Sequence, residues 1–254
     1  MSRVPILLVA NWKLNPVKLS DAKKIFSTAL KRIPRGVSLV ICPPDVFLAP
    51  LIASPHARSV SFGVQDVFSE NSGAYTGQSS PLLAKNLGAD FAIIGHSEKR
   101  TLGDTDEVVS KKVTAALKVG LRVILCIGER EHDSYGNYLP ELQNQIEKSL
   151  AGISSQSLSS LVIAYEPLWA IGKGAGDAMT GSELHETVIF IRKVLHDRYG
   201  KKALATPVIY GGSVAPQNAA RLLHEGQVAG LLVGHQSLRP EAFREIIQAV
   251  SKKS

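Results

Sequence analysis

Glu166 closes an apolar run over residues 161–165 and is followed by Pro167, Leu168, Trp169, Ala170, Ile171, Gly172, Lys173 and Gly174. A carboxylate at a strand end can serve as a general base, and excluding water from it raises its basicity. Pro167 fixes the exit direction of the chain. Gly172 and Gly174 permit backbone angles closed to other residues, so residues 168–171 can move as a stiff flap between flexible ends. An ordinary turn after a strand fits this local pattern equally well, and other residues must decide between the two readings.

Further polar residues follow other short apolar runs. Asn11 and Lys13 come after residues 6–10; Gly95, His96, Ser97 and Glu98 after 91–94; Gly128 and Glu129 after 122–127; Gly211, Gly212 and Ser213 after 208–210; Gly234 and His235 after 231–233. Each has a plain structural reading. Lys13 can be a solvated ammonium, Asn11 a turn former, His96 and Ser97 helix caps, and Glu129 one half of an ion pair. Together they supply a carboxylate, an imidazole, a cation and two glycine-rich turns. Backbone N–H groups at such turns can cradle a phosphate, and Ser213 and Gly234 are placed for this. The set suits proton transfer next to a carbonyl in a small phosphorylated substrate. Metal-ligand spacing, a GxSxG elbow and a Cys-His nucleophile signature are all missing, which argues against a metal site and a covalent nucleophile.

The elements that must position these groups follow from the apolar pattern. Runs at residues 6–10, 37–42, 61–64, 91–94, 122–127, 161–165, 208–210 and 231–233 are too short for helices, and most are continuous rather than alternating. That marks strands covered on both faces, as in a parallel sheet. Amphipathic stretches with helical spacing lie between them, among them 20–33, 106–118, 140–150, 182–199, 216–224 and 240–250. Eight strand-helix units in 254 residues match a closed (β/α)8 barrel in the α/β class, whose chemistry gathers at the C-terminal strand ends. A doubly wound nucleotide-binding sheet is disfavoured, because the first strand leads into Asn11-Trp12-Lys13-Leu14-Asn15 and not into GxGxxG. No linker or low-complexity tract divides the chain, and one domain over residues 1–254 is expected.

Composition narrows the class further. Apolar residues make up 44%, enough for a large core, yet no apolar run approaches the roughly 20 residues that span a bilayer. The N-terminal run is short for a signal peptide, lacks a charged leader and meets Asn11-Trp12-Lys13 instead of a small-residue cleavage site. Cys42 and Cys126 both lie in apolar stretches and read as buried reduced thiols, consistent with a cytoplasmic location. The net charge of +7 arises from scattered Lys and Arg without a nucleic-acid motif. Solvated helix faces account for it, and a field that attracts small anions is compatible.

With these residues in place the chain resembles the triosephosphate isomerase family from its first strand to its last helix. Four motifs carry the resemblance: Asn11-Trp12-Lys13, Ile94-Gly95-His96-Ser97-Glu98, Ala164 to Gly174, and Tyr210-Gly211-Gly212-Ser213-Val214. The resemblance implies a single-domain TIM barrel that interconverts dihydroxyacetone phosphate and D-glyceraldehyde 3-phosphate through an enediolate, in glycolysis and gluconeogenesis. It implies Glu166 as proton shuttle, neutral His96 as polariser of the carbonyl, Lys13 as the positive charge and Asn11 as orienter of substrate oxygens. Glu98 is expected to hold Lys13 or the histidine loop, and the resemblance implies that neither a metal nor an organic cofactor is required. Backbone N–H groups of Gly172, Ser213, Gly234 and His235 are expected at the phosphate. The loop over residues 65–78, with Gly73-Ala74-Tyr75-Thr76-Gly77, resembles the family's interlocking loop and implies a homodimer in which Thr76 reaches the neighbouring active site.

The chain departs from the family's pattern at several positions. His235 and Gln236 follow Gly234 where a second glycine is usual. A required positive φ at that position would distort the cradle; otherwise the His235 N–H still donates with its ring outward, or a protonated ring adds charge. The outward ring is expected, with a modestly higher KM than in a His235→Gly variant. Gln78 and Lys99 replace the usual glutamate and arginine, and Ala229 replaces an aspartate, which removes the usual partner of Arg192. Two rival readings remain: another phosphate-binding barrel, which does not explain Asn11, Lys13, His96 and Glu166 together, and a retired barrel acting as a scaffold.

Overall fold

The computed structural model describes residues 5–30, 33–170, 172 and 179–251. Its strands are β1 (Ile6–Asn11), β2 (Val37–Cys42), β3 (Ser61–Val64), β4 (Phe91–Ile94), β5 (Arg122–Ile127), β6 (Leu161–Tyr165), β7 (Val208–Tyr210) and β8 (Gly230–Val233). All pair in parallel, each with its sequence neighbours, and β8 returns to β1 to close the barrel. At that seam Leu7 faces Gly230 and Ala10 faces Val233. A β-carbon at position 230 would overlap the Leu7 carbonyl oxygen, so the closing strand can enter only through a glycine.

The continuous apolar runs separate into two layers once the strand period of two is applied. Leu7, Val9, Val40, Cys42, Ile93, Ile124, Cys126, Val162, Ala164, Ile209 and Leu232 fill the barrel interior. Leu8, Ala10, Leu39, Ile41, Val123, Leu125 and Ile163 point the other way, into the layer shared with the helices. Both sets are essentially excluded from water, each Leu or Ile contributing about 1.5–3 kcal/mol from burial. Continuing the inward rows by steps of two brings Asn11 above Val9, Glu166 above Ala164 and Gly211 above Ile209. The interior row changes from apolar to polar at the C-terminal rim, and this positions the chemistry.

The helices are α1 (Leu19–Ala29), α2 (Asp45–Ile52), α3 (Pro81–Leu87), α4 (Ser97–Thr101), α5 (Asp106–Lys118), α6 (Leu139–Ser149), α7 (Gly181–Tyr199), α8 (Ala219–Glu225) and α9 (Pro240–Ser251). The expected helix over 20–33 is assigned only to Ala29, with Leu30 as its C-cap. The one expected from residue 216 starts at Ala219, because Asn218 uses its side chain outside the helix: Oδ1 accepts from Ala215 N–H and Nδ2 donates to Ser213 O. α7 opens on a capping box, in which Thr180 Oγ1 accepts from Glu183 N–H and the Glu183 carboxylate accepts from Thr180 N–H. No helix among the described residues is long and apolar enough to cross a membrane.

Candidate active site

Eight of the nine residues singled out in the sequence line one cavity of about 450 Å³ at the C-terminal rim: Asn11, Lys13, His96, Glu166, Gly172, Ser213, Gly234 and His235. Glu98 lies in the neighbouring cavity of about 470 Å³, which Asn11, Lys13 and His96 also line. Ile171, Lys173 and Gly174 of the expected flap fall outside the described residues. The part described after β6 is a 3-10 turn, Leu168–Ala170, and Gly172 has φ +75°.

The His96 ring is both a helix cap and a site group. Its Nδ1 accepts the Glu98 backbone N–H at 3.2 Å, so in the neutral ring the proton sits on Nε2. Nε2 lies 3.4 Å from Glu166 Oε1, and the ring is 7% exposed. Glu166 itself is 2% exposed, with Oε2 accepting the Ser97 N–H at 3.3 Å. A β-carbon at Gly211 would come within 2.8 Å of Glu166 Cγ; glycine there leaves room for the carboxylate. The nearby Cys126 thiol is fully buried, and burial first and the Glu166 carboxylate second push its pKa well up.

Lys13 adopts φ +52°, a left-handed conformation uncommon outside glycine and found where function over-determines the backbone. Asn11 Oδ1 accepts the Lys13 N–H at 3.0 Å, and Gln65 Nε2 donates to the Lys13 carbonyl at 2.8 Å, holding the turn on both sides. Lys13 Nζ then meets Glu98 Oε1 at 2.6 Å. Glu98 thus touches both Lys13 and, through its backbone, the histidine.

His235 is exposed at the rim and opens a short 3-10 turn, His235–Leu238. Among the described residues only Lys13 and Gln227 are non-glycines with positive φ. His235 has ordinary backbone, and the turn does not require a glycine there. Ser213 Oγ donates to Ala170 O at 2.8 Å, linking the glycine turn after β7 to the turn after Glu166. Among the described residues no group of three or more His, Cys, Asp or Glu could hold a metal ion.

Sequence reasoning missed the support under Glu166. Glu129, read there as a possible ion-pair partner, is fully buried, and its Oε1 accepts from Tyr165 Oη and from Trp169 Nε1, both at 2.8 Å. Its carbonyl also accepts the Leu168 N–H. A buried carboxylate among donors is a three-dimensional fact with no local sequence signal beyond its strand-end position.

An imidazole, a carboxylate and an ammonium thus line one cavity, and the chain as a whole is similar to known proteins. The triosephosphate isomerase family model covers residues 6–250. The chain belongs to the triosephosphate isomerase family. Triosephosphate isomerase from Dehalococcoides mccartyi is 41% identical over 246 residues, covering 95% of each chain. That from Natranaerobius thermophilus is 35% identical, covering 97% of this chain and 96% of that one. The crystal structure of triosephosphate isomerase from Bartonella henselae superposes with a TM-score of 0.84 at 32% identity, covering 98% of this chain and all of that one. Departures from the family's pattern have structural substitutes. Lys99 pairs with Asp66 at 3.0 Å within the chain. Arg192 donates Nη2 to the Gln227 carbonyl at 3.2 Å while its buried Nε has no partner among the described residues.

Proposed function

We propose that this chain is an intramolecular aldose-ketose isomerase that interconverts dihydroxyacetone phosphate and D-glyceraldehyde 3-phosphate. The observation that carries the reading is the 3.4 Å approach of His96 Nε2 to Glu166 Oε1 across a cavity that Lys13 also lines. Glu166 takes the proton from the carbon beside the carbonyl; the electron pair moves to the carbonyl oxygen, giving an enediolate. The Nε2–H of His96 and the Lys13 ammonium stabilise the charge that develops there, an effect worth about 10²–10³ in rate for one well-placed donor. His96 moves the hydroxyl proton of the first carbon's oxygen to the oxygen that carried the carbonyl, and Glu166 returns its proton to the neighbouring carbon, so that the new carbonyl forms and the enzyme groups regain their starting state. Asn11 orients the substrate oxygens and Glu98 holds Lys13. Backbone N–H groups of Gly172, Ser213, Gly234 and His235 bind the phosphate. Exclusion of water over the site protects the enediolate from losing phosphate.

A single domain over residues 1–254 belongs to this reading, as does a homodimer. The loop over 65–78 is largely exposed, with Tyr75 47% exposed, and Leu14, Val46 and Leu102 are each more than three-quarters exposed around the cavity that reaches Asn11, Lys13 and His96. Apolar side chains gathered beside a polar cleft support a partner surface. The same loop of a second copy, with Thr76 foremost, is its occupant. Two buried free cysteines agree with a reducing cytoplasm, where the isomerase serves glycolysis and gluconeogenesis.

The test is a coupled assay with glyceraldehyde 3-phosphate. Activity in the wild type and its loss in Glu166→Asp support the isomerase; an inert, folded wild type rejects it. Light scattering at micromolar concentration tests the dimer, which a fully active monomer would rule out.

A further inference from the structure

A second cluster of titratable groups lies behind the active site. His132, in the loop after β5, is 15% exposed, and its Nδ1 lies 3.0 Å from Glu129 Oε1. Its ring stacks on Tyr138 at 3.9 Å between centroids and lies 5.2 Å from Trp169. Three donors, His132, Tyr165 and Trp169, therefore converge on one carboxylate oxygen, while Glu129 Oε2 is buried and has no partner among the described residues.

Tyr165 immediately precedes Glu166, and Trp169 lies in the turn that follows it. Glu129 therefore grips both sides of the proposed base with one oxygen, and the Leu168 N–H with its carbonyl. Tyrosine and tryptophan donate as neutral groups throughout the neutral pH range. The imidazole differs: it can donate neutral or as a cation, and only as a cation does it balance the charge of a fully buried carboxylate.

We propose that His132 is a positioning residue for the Glu166 turn, acting through Glu129. The inference rests on the isomerase reading, since Glu166 must be the base for its placement to govern rate. The charged and titratable surroundings of the ring come from each element packed on it. Glu129 stands at the end of β5 and Tyr165 on β6. Glu183, in the first turn of α7, lies within electrostatic reach of the ring. Tyr138, at the start of α6, is also faced by Glu186 of α7 and Asp133 of the His132 loop. Arg130 and Glu131 flank the ring in sequence and are exposed.

Two substitutions separate the parts of the idea. His132→Phe keeps the stacking on Tyr138 and Trp169 but removes the donor; His132→Asn keeps a neutral donor near Nδ1 but removes the charge. The expected results are a fall in kcat of about tenfold in His132→Phe with KM within about twofold, because misplacing the base affects the chemical step more than phosphate binding. His132→Asn, which keeps a donor, recovers most of kcat. A folded His132→Phe with wild-type kcat overturns the proposal, as does a folded His132→Asn no more active than His132→Phe. An inactive wild type would instead reject the isomerase reading itself.

Discussion

Glu98 reaches two groups of the site at once: its carboxylate Oε1 lies 2.6 Å from Lys13 Nζ while its backbone N–H donates to His96 Nδ1 at 3.2 Å. The first contact depends on the side chain and the second does not. Glu98→Ala should therefore leave the His96 tautomer in place and free Lys13 to wander. Steady-state kinetics should show kcat/KM lower by about ten- to a hundredfold. A Glu98→Ala enzyme with wild-type kcat/KM would show that Lys13 needs no tether.

Gly211→Ala tests the packing around Glu166. The new β-carbon falls 2.8 Å from Glu166 Cγ, closer than carbon atoms approach, and the carboxylate must shift. The expected outcome is a fall in kcat of at least about tenfold with a smaller change in KM, measured in the coupled assay at unchanged helical content. Equal losses in binding and turnover would place the strain in the phosphate turn instead.

The capping box at α7 gives a pH signature of stability. Bonds from the Thr180 backbone and hydroxyl hold the Glu183 carboxyl below its ordinary value. Its folded pKa is lower than its unfolded one, so the contribution is complete above about pH 4.5 and is lost as pH falls through the folded value. Thr180→Ala should cost about 1 kcal/mol near neutrality and less once pH falls below the folded Glu183 value, since the hydroxyl's bond to the carboxylate fades while its bond from the Glu183 N–H persists; urea unfolding across the acid range measures the difference.

Both cysteines should resist alkylation in the folded protein. Burial pushes each thiol far above the usual range, with Asp45 adding to the effect at Cys42 and Glu166 at Cys126. Mass spectrometry after iodoacetamide treatment at pH 8 should find neither modified in buffer and both modified in denaturant.

The ordinary backbone at His235 makes the effect of restoring a glycine small. His235→Gly should change KM for triose phosphate by no more than about threefold, under 1 kcal/mol of binding. A tenfold lower KM would mean that the side chain obstructs the cradle.

The strands were legible because a barrel strand covered on both faces is apolar throughout, and the runs at 37–42, 122–127 and 161–165 match β2, β5 and β6 at both ends. What those runs hide is parity: nothing in Val123-Ile124-Leu125-Cys126 says which pair faces the interior. For that reason Cys126 reads as an inert core thiol in sequence, although it lies against Glu166. Short helices were also missed. α3 carries its signals, Ser80 as cap and Pro81 at the first position, yet its seven residues show too little period to stand out. The strand-end groups Asn11, Lys13, His96 and Glu166 were readable as a set because each directly follows an apolar run. The Ser97 N–H on Glu166 and the grip of Glu129 on Trp169 depend on chain segments 69 and 40 residues apart. Local pattern cannot reveal such pairings.

The seam between β1 and β8 has a consequence in time. Lys13 follows the first strand and Gly234 the last, and only the pairing of Leu7 with Gly230 brings the two turns to one cavity. A growing chain that has made seven strands already holds Glu166 and His96 but lacks the wall that completes the cavity. For the proposed phosphate site this means that recognition of substrate would wait for the final strand, and the finished ring, unlike its parts, is what a triose phosphate would stabilise by binding.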